Sequence, residues 1–346
     1  VLFGVLLYLN SSVSADKLPV WMRGYDSAAS GVNLVETSLN TANVNAAQFG
    51  KLSQRTVTGQ IIAQVLYVPN LSINGAARDV FFVATMANYI YAFDANDMNS
   101  NSAPLWSRKY GEPVPIVGGR LGAICTNYVD IMKQAGIQST PAIHMPSLTM
   151  YFVTANQDSA NVENYRIRAI DITTGIEKYP AVIVSGSVNA VGGAVDTFNP
   201  RAQKQRVSLN ILNGVVYFGF GSYCEQRNPD PYSGWVFGYD LQLNRKFVYS
   251  DTPTGNGGGV WQSGSPITHD GSNLFVVTAN GAFDVSAGAK NFGSSVLKLN
   301  PNSVVASGPY KDSCNEPEDY FSPYNAAALS TANVDLGSTY AKLIPN

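Results

Sequence analysis

The stretch DVFFVATMANYIYAFDAND (79–97) opens with the apolar run Val80 to Val83, turns over Met86, Ala87 and Asn88, and then alternates apolar and small residues down to Asp94. The arrangement returns three times. MYFVT (150–154) is followed by RIRAID (166–171), VYFGF (216–220) by WVFGYD (235–240), and LFVVT (274–278) by SVLKLN (295–300). Aligning Phe82, Tyr151, Tyr217 and Phe275 gives steps of 69, 66 and 58 residues. Self-similarity at such a period implies a repeat architecture. A further strand precedes each pair, in IIAQVLYVPN (61–70), STPAIHMPS (139–147), RVSLNILNG (206–214) and WQSGSPITHDG (261–271). Another follows, in PLWSRKY, KYPAVIVSG, RKFVYSD and NSVVASG. Four short antiparallel strands per repeat make the blade of an all-β propeller.

The chain of 346 residues is 45% hydrophobic and 13% charged, with net charge -2 and 31 glycines. That is enough apolar material for a large core with many turns. No run of like charges exists, so nucleic acid and anionic membranes are not expected partners. The start, VLFGVLLYLNSSVSADK, has a short apolar stretch and then small residues ending Val13-Ser14-Ala15, which fits a secretory leader over 1–15, clipped at its start. The alternative is a buried first strand. Secretion makes Asn70, in Asn70-Leu71-Ser72, a glycosylation acceptor and permits disulfides. At the other end, AKLIPN (341–346) resembles VLYVPN (65–70), the end of the first inner strand. The propeller of 16–346 is therefore read as about four blades plus the start of a fifth, C-terminally incomplete. Closure of four blades, with AKLIPN as a tail, is the other reading.

AIDITTGIEKY (169–179) resembles the A-x-D-x-x-T-G-x-x-x-W tail of the repeats of pyrroloquinoline-quinone (PQQ) dehydrogenases, with Tyr179 in place of Trp. YAFDANDMNSNSAPLW (91–106) is similar, keeping Asp94 and Trp106. With GQIIAQVLYVPN and GVWQSGSPI, the resemblance runs from about residue 20 to the end and points to a secreted branch of the quinoprotein alcohol dehydrogenase-like superfamily. It implies an eight-bladed ring of which this chain is a part. An aromatic ring on an outer strand, lying against a glycine turn, closes the gap between blades, so Trp106, Gly175 and Tyr179 are read as blade-docking residues.

The resemblance also implies a chemistry: adjacent cysteines against the quinone, a Trp beneath it, Glu and Asn ligands to Ca²⁺, and an Asp base. Cys125, Cys224 and Cys314 are far apart, and no Cys-Cys pair occurs. His144 and His269 end inner strands beside tight turns and read as satisfied polar groups. No nucleophile-elbow, Walker, HExxH or CxxC motif is present. In DSCNEPED (312–319), Asp312, Glu316, Glu318 and Asp319 are weak candidates for Ca²⁺, although the EF-hand spacing is missing.

Blade geometry places the loops between second and third strands on the same face as the links between blades. Those segments are long (155–165, 221–234, 279–294; 111–138, 187–205, 251–260), whereas the opposite face has tight turns such as Asn213-Gly214, with 70–79 as the exception. Binding usually resides in such elaborated loops. All three cysteines fall on that face, and Cys224 pairs with Cys314 or Cys125, the former preferred. The expectation is a non-catalytic binding or assembly scaffold for an unknown extracellular ligand or protein. The alternatives are a PQQ- and calcium-dependent dehydrogenase of alcohols or sugars, and a self-assembling extracellular structural protein.

Overall fold

The computed structural model describes residues 17–116, 131, 133–225, 232–285, 288 and 290–344; the expected leader and Cys125 lie outside them. Blade one is β1 (Leu66–Ile73), β2 (Ala76–Ala84), β3 (Tyr89–Asp94) and β4 (Trp106–Lys109), antiparallel and in that spatial order. A small hairpin, β5 (Val114–Pro115) with β6 (Gln134–Ala135), leads to blade two: β7 (Ala142–His144), β8 (Thr149–Gln157), β9 (Glu163–Asp171) and β10 (Val182–Ile183). A second hairpin, β11 (Ser187–Asn189) with β12 (Val195–Thr197), precedes blade three. There β13 (Gln203–Lys204) and β14 (Asn210–Leu212) share the inner edge of β15 (Val215–Ser222), followed by β16 (Trp235–Asp240) and β17 (Arg245–Ser250). Blade four is β18 (Thr268–His269), β19 (Leu274–Val277), β20 (Val296–Leu299) and β21 (Asp319–Phe321).

The sequences of the strands follow from what lies on each side of a blade. Blade two is sandwiched, so β8 is buried on both faces and reads as an unbroken apolar run. Its Met150 and Phe152 pack toward Val80, Phe82 and Ile90 of blade one, while Tyr151 and Val153 pack toward Phe218, Phe220 and Phe237 of blade three. Tyr217, Val236 and Tyr249 of blade three then meet Leu274, Val276 and Leu297 of blade four. Each such side chain contributes about 1.5–3 kcal/mol on burial. The outer face of blade one carries a ladder of Tyr89, Tyr91 and Phe93 rings, covered by Val57 with Arg55 over Phe93.

Towards the axis, the starts of the inner strands are handed from blade to blade. Gln64 N–H donates to Thr140 Oγ1 (2.9 Å), Thr140 N–H to Ser208 Oγ (3.2 Å), and Ser208 Oγ to the Gly264 carbonyl. The segment 20–30 runs past these strands in turn. Val20 pairs with Tyr67, Trp21 O accepts from Ile143 N–H (2.8 Å), Ser27 O from Asn210 Nδ2 (3.2 Å), and Ala29 O from the Tyr340 hydroxyl (2.8 Å).

The structure differs from the sequence expectations at several strands. Residues 70–79 form no loop: β1 and β2 continue to an Asn74-Gly75 turn, and Asn70 sits exposed at a bulge in β1, its N–H donated to Asp79 Oδ1 (3.1 Å). The fourth strand of blade four is Asp319–Phe321 rather than NSVVASG, because the 305–314 stretch folds on itself and adds to blade three. Val248 N–H donates to Asp312 O and Cys314 N–H to Val248 O, so a foreign segment covers the free edge of β17. Residues 341–344 form no strand but lie on blade four's inner strand, with Thr268 Oγ1 donating to Ala341 O (2.7 Å).

Candidate functional site

The second strand of blade three ends at Ser222 on the loop-rich face, and a pocket of about 250 Å³ opens there, between blades three and four. Its walls are aromatic (Tyr223, Tyr232, Trp261), its floor is Gly221, Gly258 and Gly259, and Cys224, Lys204, Glu225 and Asp335 complete it. Lys204 comes from β13, a two-residue strand held by Gly221 and Ser222 of β15. That pairing delivers a buried ammonium to 4.4 Å from the Trp261 ring centre and 5.6 Å from that of Tyr223. Desolvated cation–π contacts of this kind are worth about 2 kcal/mol.

Behind the wall, a hydrogen-bond chain fixes Tyr223. Gln138 Nε2 donates to its hydroxyl (2.6 Å), and the Tyr165 hydroxyl, 3.3 Å away, donates to Gln203 O (2.6 Å). Burial pushes the Tyr223 hydroxyl up to about 12 and Tyr165 well above its ordinary value, so both stay neutral donors. The floor is set by Asp251, which is fully buried and accepts from Gly234 N–H (2.7 Å). Its Oδ2 takes no hydrogen bond from the described residues, and a Cβ on Gly258 (φ +81) would fall 2.2 Å from it, so only glycine fits. Burial, and then the nearby Asp196 carboxylate, raise Asp251 well above the carboxylate range. Asp196, itself raised by burial, accepts from Ser250 Oγ (2.6 Å).

Of the described residues singled out by sequence, Cys224 alone lines this pocket. It is disulfide-bonded, but not to the preferred partner: Cys314 is a free, buried thiol 3.2 Å from Glu316 O, and burial pushes it up to about 11. The Cys314 N–H bond to Val248 O holds it on the edge of β17, with its side chain in the core between blades three and four. The acidic cluster is not gathered either. Asp312 faces Arg245 (3.8 Å), Glu316 pairs with Lys290, Glu318 with Lys298 (2.8 Å), and Asp319 is exposed in β21. Among the described residues, no group of three or more His, Cys, Asp or Glu could hold a metal. His144 contacts Ser147 Oγ (2.8 Å) and His269 accepts from Gly271 N–H (3.3 Å), both at the ends of inner strands away from the pocket. Trp106 Nε1 donates to Ile172 O (3.0 Å) with its ring against Gly175, and Tyr179 packs on the core between blades two and three.

Among solved structures, the chain is similar to the quinohemoprotein alcohol dehydrogenase of Comamonas testosteroni (TM-score 0.55, 15% identity) and to quinohemoprotein alcohol dehydrogenase ADHIIG of Pseudomonas putida HK5 (TM-score 0.54, 16% identity). The fold is a β-propeller of four-stranded antiparallel blades. Each match covers 88% of this chain, which spans only 41% and 40% of those proteins. No family model and no curated protein matches the chain.

The pocket fits a metal-bound quinone poorly. Lys204 stands over the indole face on which a flat ring would stack, and a Cβ on Gly221 would come 3.4 Å from the same indole. No metal-binding group of side chains is assembled among the described residues. Sequence reasoning missed Lys204, Trp261 and the buried glutamines Gln138, Gln205 and Gln262. The glutamines carried a signal, since Gln138 and Gln205 each stand one residue before the inner-strand tract of their repeat (QST, QRVS) and Gln262 is the second residue of its tract (QSGS).

Proposed function

We propose that the protein is a secreted binding propeller that takes a small polar molecule in the pocket between blades three and four. The supporting observation is the buried Lys204 ammonium held over Trp261 in a concave, aromatic-walled site that also presents Glu225 and Asp335. A few fixed polar groups among aromatic walls are the usual composition of a ligand site. Secretion rests on the apolar leader-like start and on Val13-Ser14-Ala15. A second reading, a PQQ- and calcium-dependent dehydrogenase of alcohols or sugars, draws support from the proteins of similar fold alone.

Tryptophan fluorescence titration with small carboxylates, sugars, and PQQ with Ca²⁺ separates the two. The binding reading expects a saturable signal from a carboxylate or sugar that is lost in Lys204→Met and in Trp261→Phe. A bound-quinone spectrum with alcohol-dependent dye reduction would replace it with the dehydrogenase reading.

A further inference from the structure

Two arginines lie near the starts of the inner strands without an acidic partner among the described residues. Arg23, in the threaded 20–30 segment, lines a cavity of about 460 Å³ with Gly24, Gln64, Ser265 and Tyr340. Arg206 approaches from the residues before β14. Its guanidinium lies so close to Gly264, the neighbour of Ser265, that a Cβ there would fall 2.3 Å from Nη1. That Nη1 donates to Gln138 O (3.0 Å), its one hydrogen bond among the described residues, and neither arginine takes part in an ion pair. Burial, and then the charge of Arg23, push Arg206 down to about 10. The acid on the same segment, Asp26, is exposed and turned to the N–H and hydroxyl of Ser30. Lys342 Nζ, 3.5 Å from Ser30 O, adds a third cation at this end.

Like charges held close together are costly unless something neutralises them, and the guanidinium fork matches the oxygens of carboxylates and phosphates. We propose that the cavity lined by Arg23 and Ser265, which Arg206 approaches through Gly264, is a binding site for a small polyvalent oxyanion. The site shares no lining residue with the pocket between blades three and four, so it stands or falls independently of the ligand proposed there. The anion would bridge the 20–30 segment to the inner edge of blades three and four, locking the threaded segment in place.

Inorganic phosphate is the probe, with chloride at matched ionic strength as the control, read by thermal denaturation and by calorimetric titration. Phosphate is expected to raise the melting temperature saturably where chloride does not. Arg23→Gln removes a side chain that makes no hydrogen bond, so the fold survives. Without phosphate this variant melts higher than the parent, and its affinity for phosphate falls at least tenfold. Arg206→Lys keeps the charge but loses the fork, and weakens phosphate binding less than Arg23→Gln does. A phosphate effect no larger than that of chloride, or an unchanged affinity in Arg23→Gln, overturns the proposal.

Discussion

Replacing Gly175 by Ala measures how blade one is docked on blade two. Gly175 has φ +70, and a Cβ there would lie 2.7 and 2.8 Å from Cε3 and Cζ3 of Trp106 and 3.1 Å from Arg108 Cδ. The left-handed backbone alone costs an L-residue about 1–2 kcal/mol. The indole must then move, and forcing a side chain aside in a packed contact costs about 1–3 kcal/mol. That movement also weakens the bond from Nε1 to Ile172 O, worth about 1 kcal/mol net. Gly75→Ala is the control, since Gly75 has φ +77 and nothing within 4 Å of its virtual Cβ. It bears the conformational cost without the collision, and the unfolded-state gain of Gly→Ala, about 0.4–1 kcal/mol, is common to both and cancels. Gly175→Ala is therefore expected to lose about 2 kcal/mol more than Gly75→Ala in urea denaturation, read from midpoints at a common slope. A difference within about 0.5 kcal/mol, the ordinary error of additivity, would refute the docking argument.

The buried thiol and the buried carboxylate give two more tests. With Cys314 raised to about 11, the native protein should leave this thiol unlabelled by a thiol reagent at pH 8 until it is unfolded. Because the raised value favours the protonated form, the thiol's contribution to stability is present below its ordinary value of 9.0 and lost as pH climbs through about 11. Rapid labelling of the native protein would contradict the burial. Asp251, also raised, stabilises the fold while protonated and loses that contribution as pH rises from 3.8 toward its higher native value. Asp251→Asn, which cannot ionise, should flatten the fall of melting temperature above the ordinary carboxylate range. Parallel profiles of parent and variant between pH 4 and 8 would show that Asp251 does not titrate with folding.

The blades could be read in advance because each repeat carries its own apolar runs and turns, from Val80–Val83 to Asn213-Gly214. Periodicity reports which side a local segment buries. It is silent about a partner supplied from elsewhere, and the misreadings fall where such partners act. NSVVASG has strand-like composition, yet its neighbours 312–314 are drawn to the open edge of β17. The tract 70–79 was expected to be a long turn, but β1 continues through it past a bulge between Val68 and Leu71 that accommodates Pro69. The pocket was less legible than the fold. Its lining comes from separate segments around residues 204, 221–225, 232, 258–261, 279 and 335, and Lys204 in RAQKQR belongs to no motif. The cysteines misled for a related reason: a thiol outside any blade strand gave no hint that its N–H would dock on another blade's edge.

The threaded segment 20–30 bears on how the molecule is assembled. Its contacts reach across 183 residues to Asn210 and across 311 to Tyr340, so its last partner does not exist until nearly the whole described chain has been made. Blades can form from neighbouring hairpins as they leave the ribosome, since domains generally fold in the order of synthesis. The segment cannot, because closing loops of that length must wait for the far residues. During translation its carbonyls at Trp21, Ser27 and Ala29 face water, and the inner strands they will join stay open to other chains. Made before any blade, these residues are among the last to be seated.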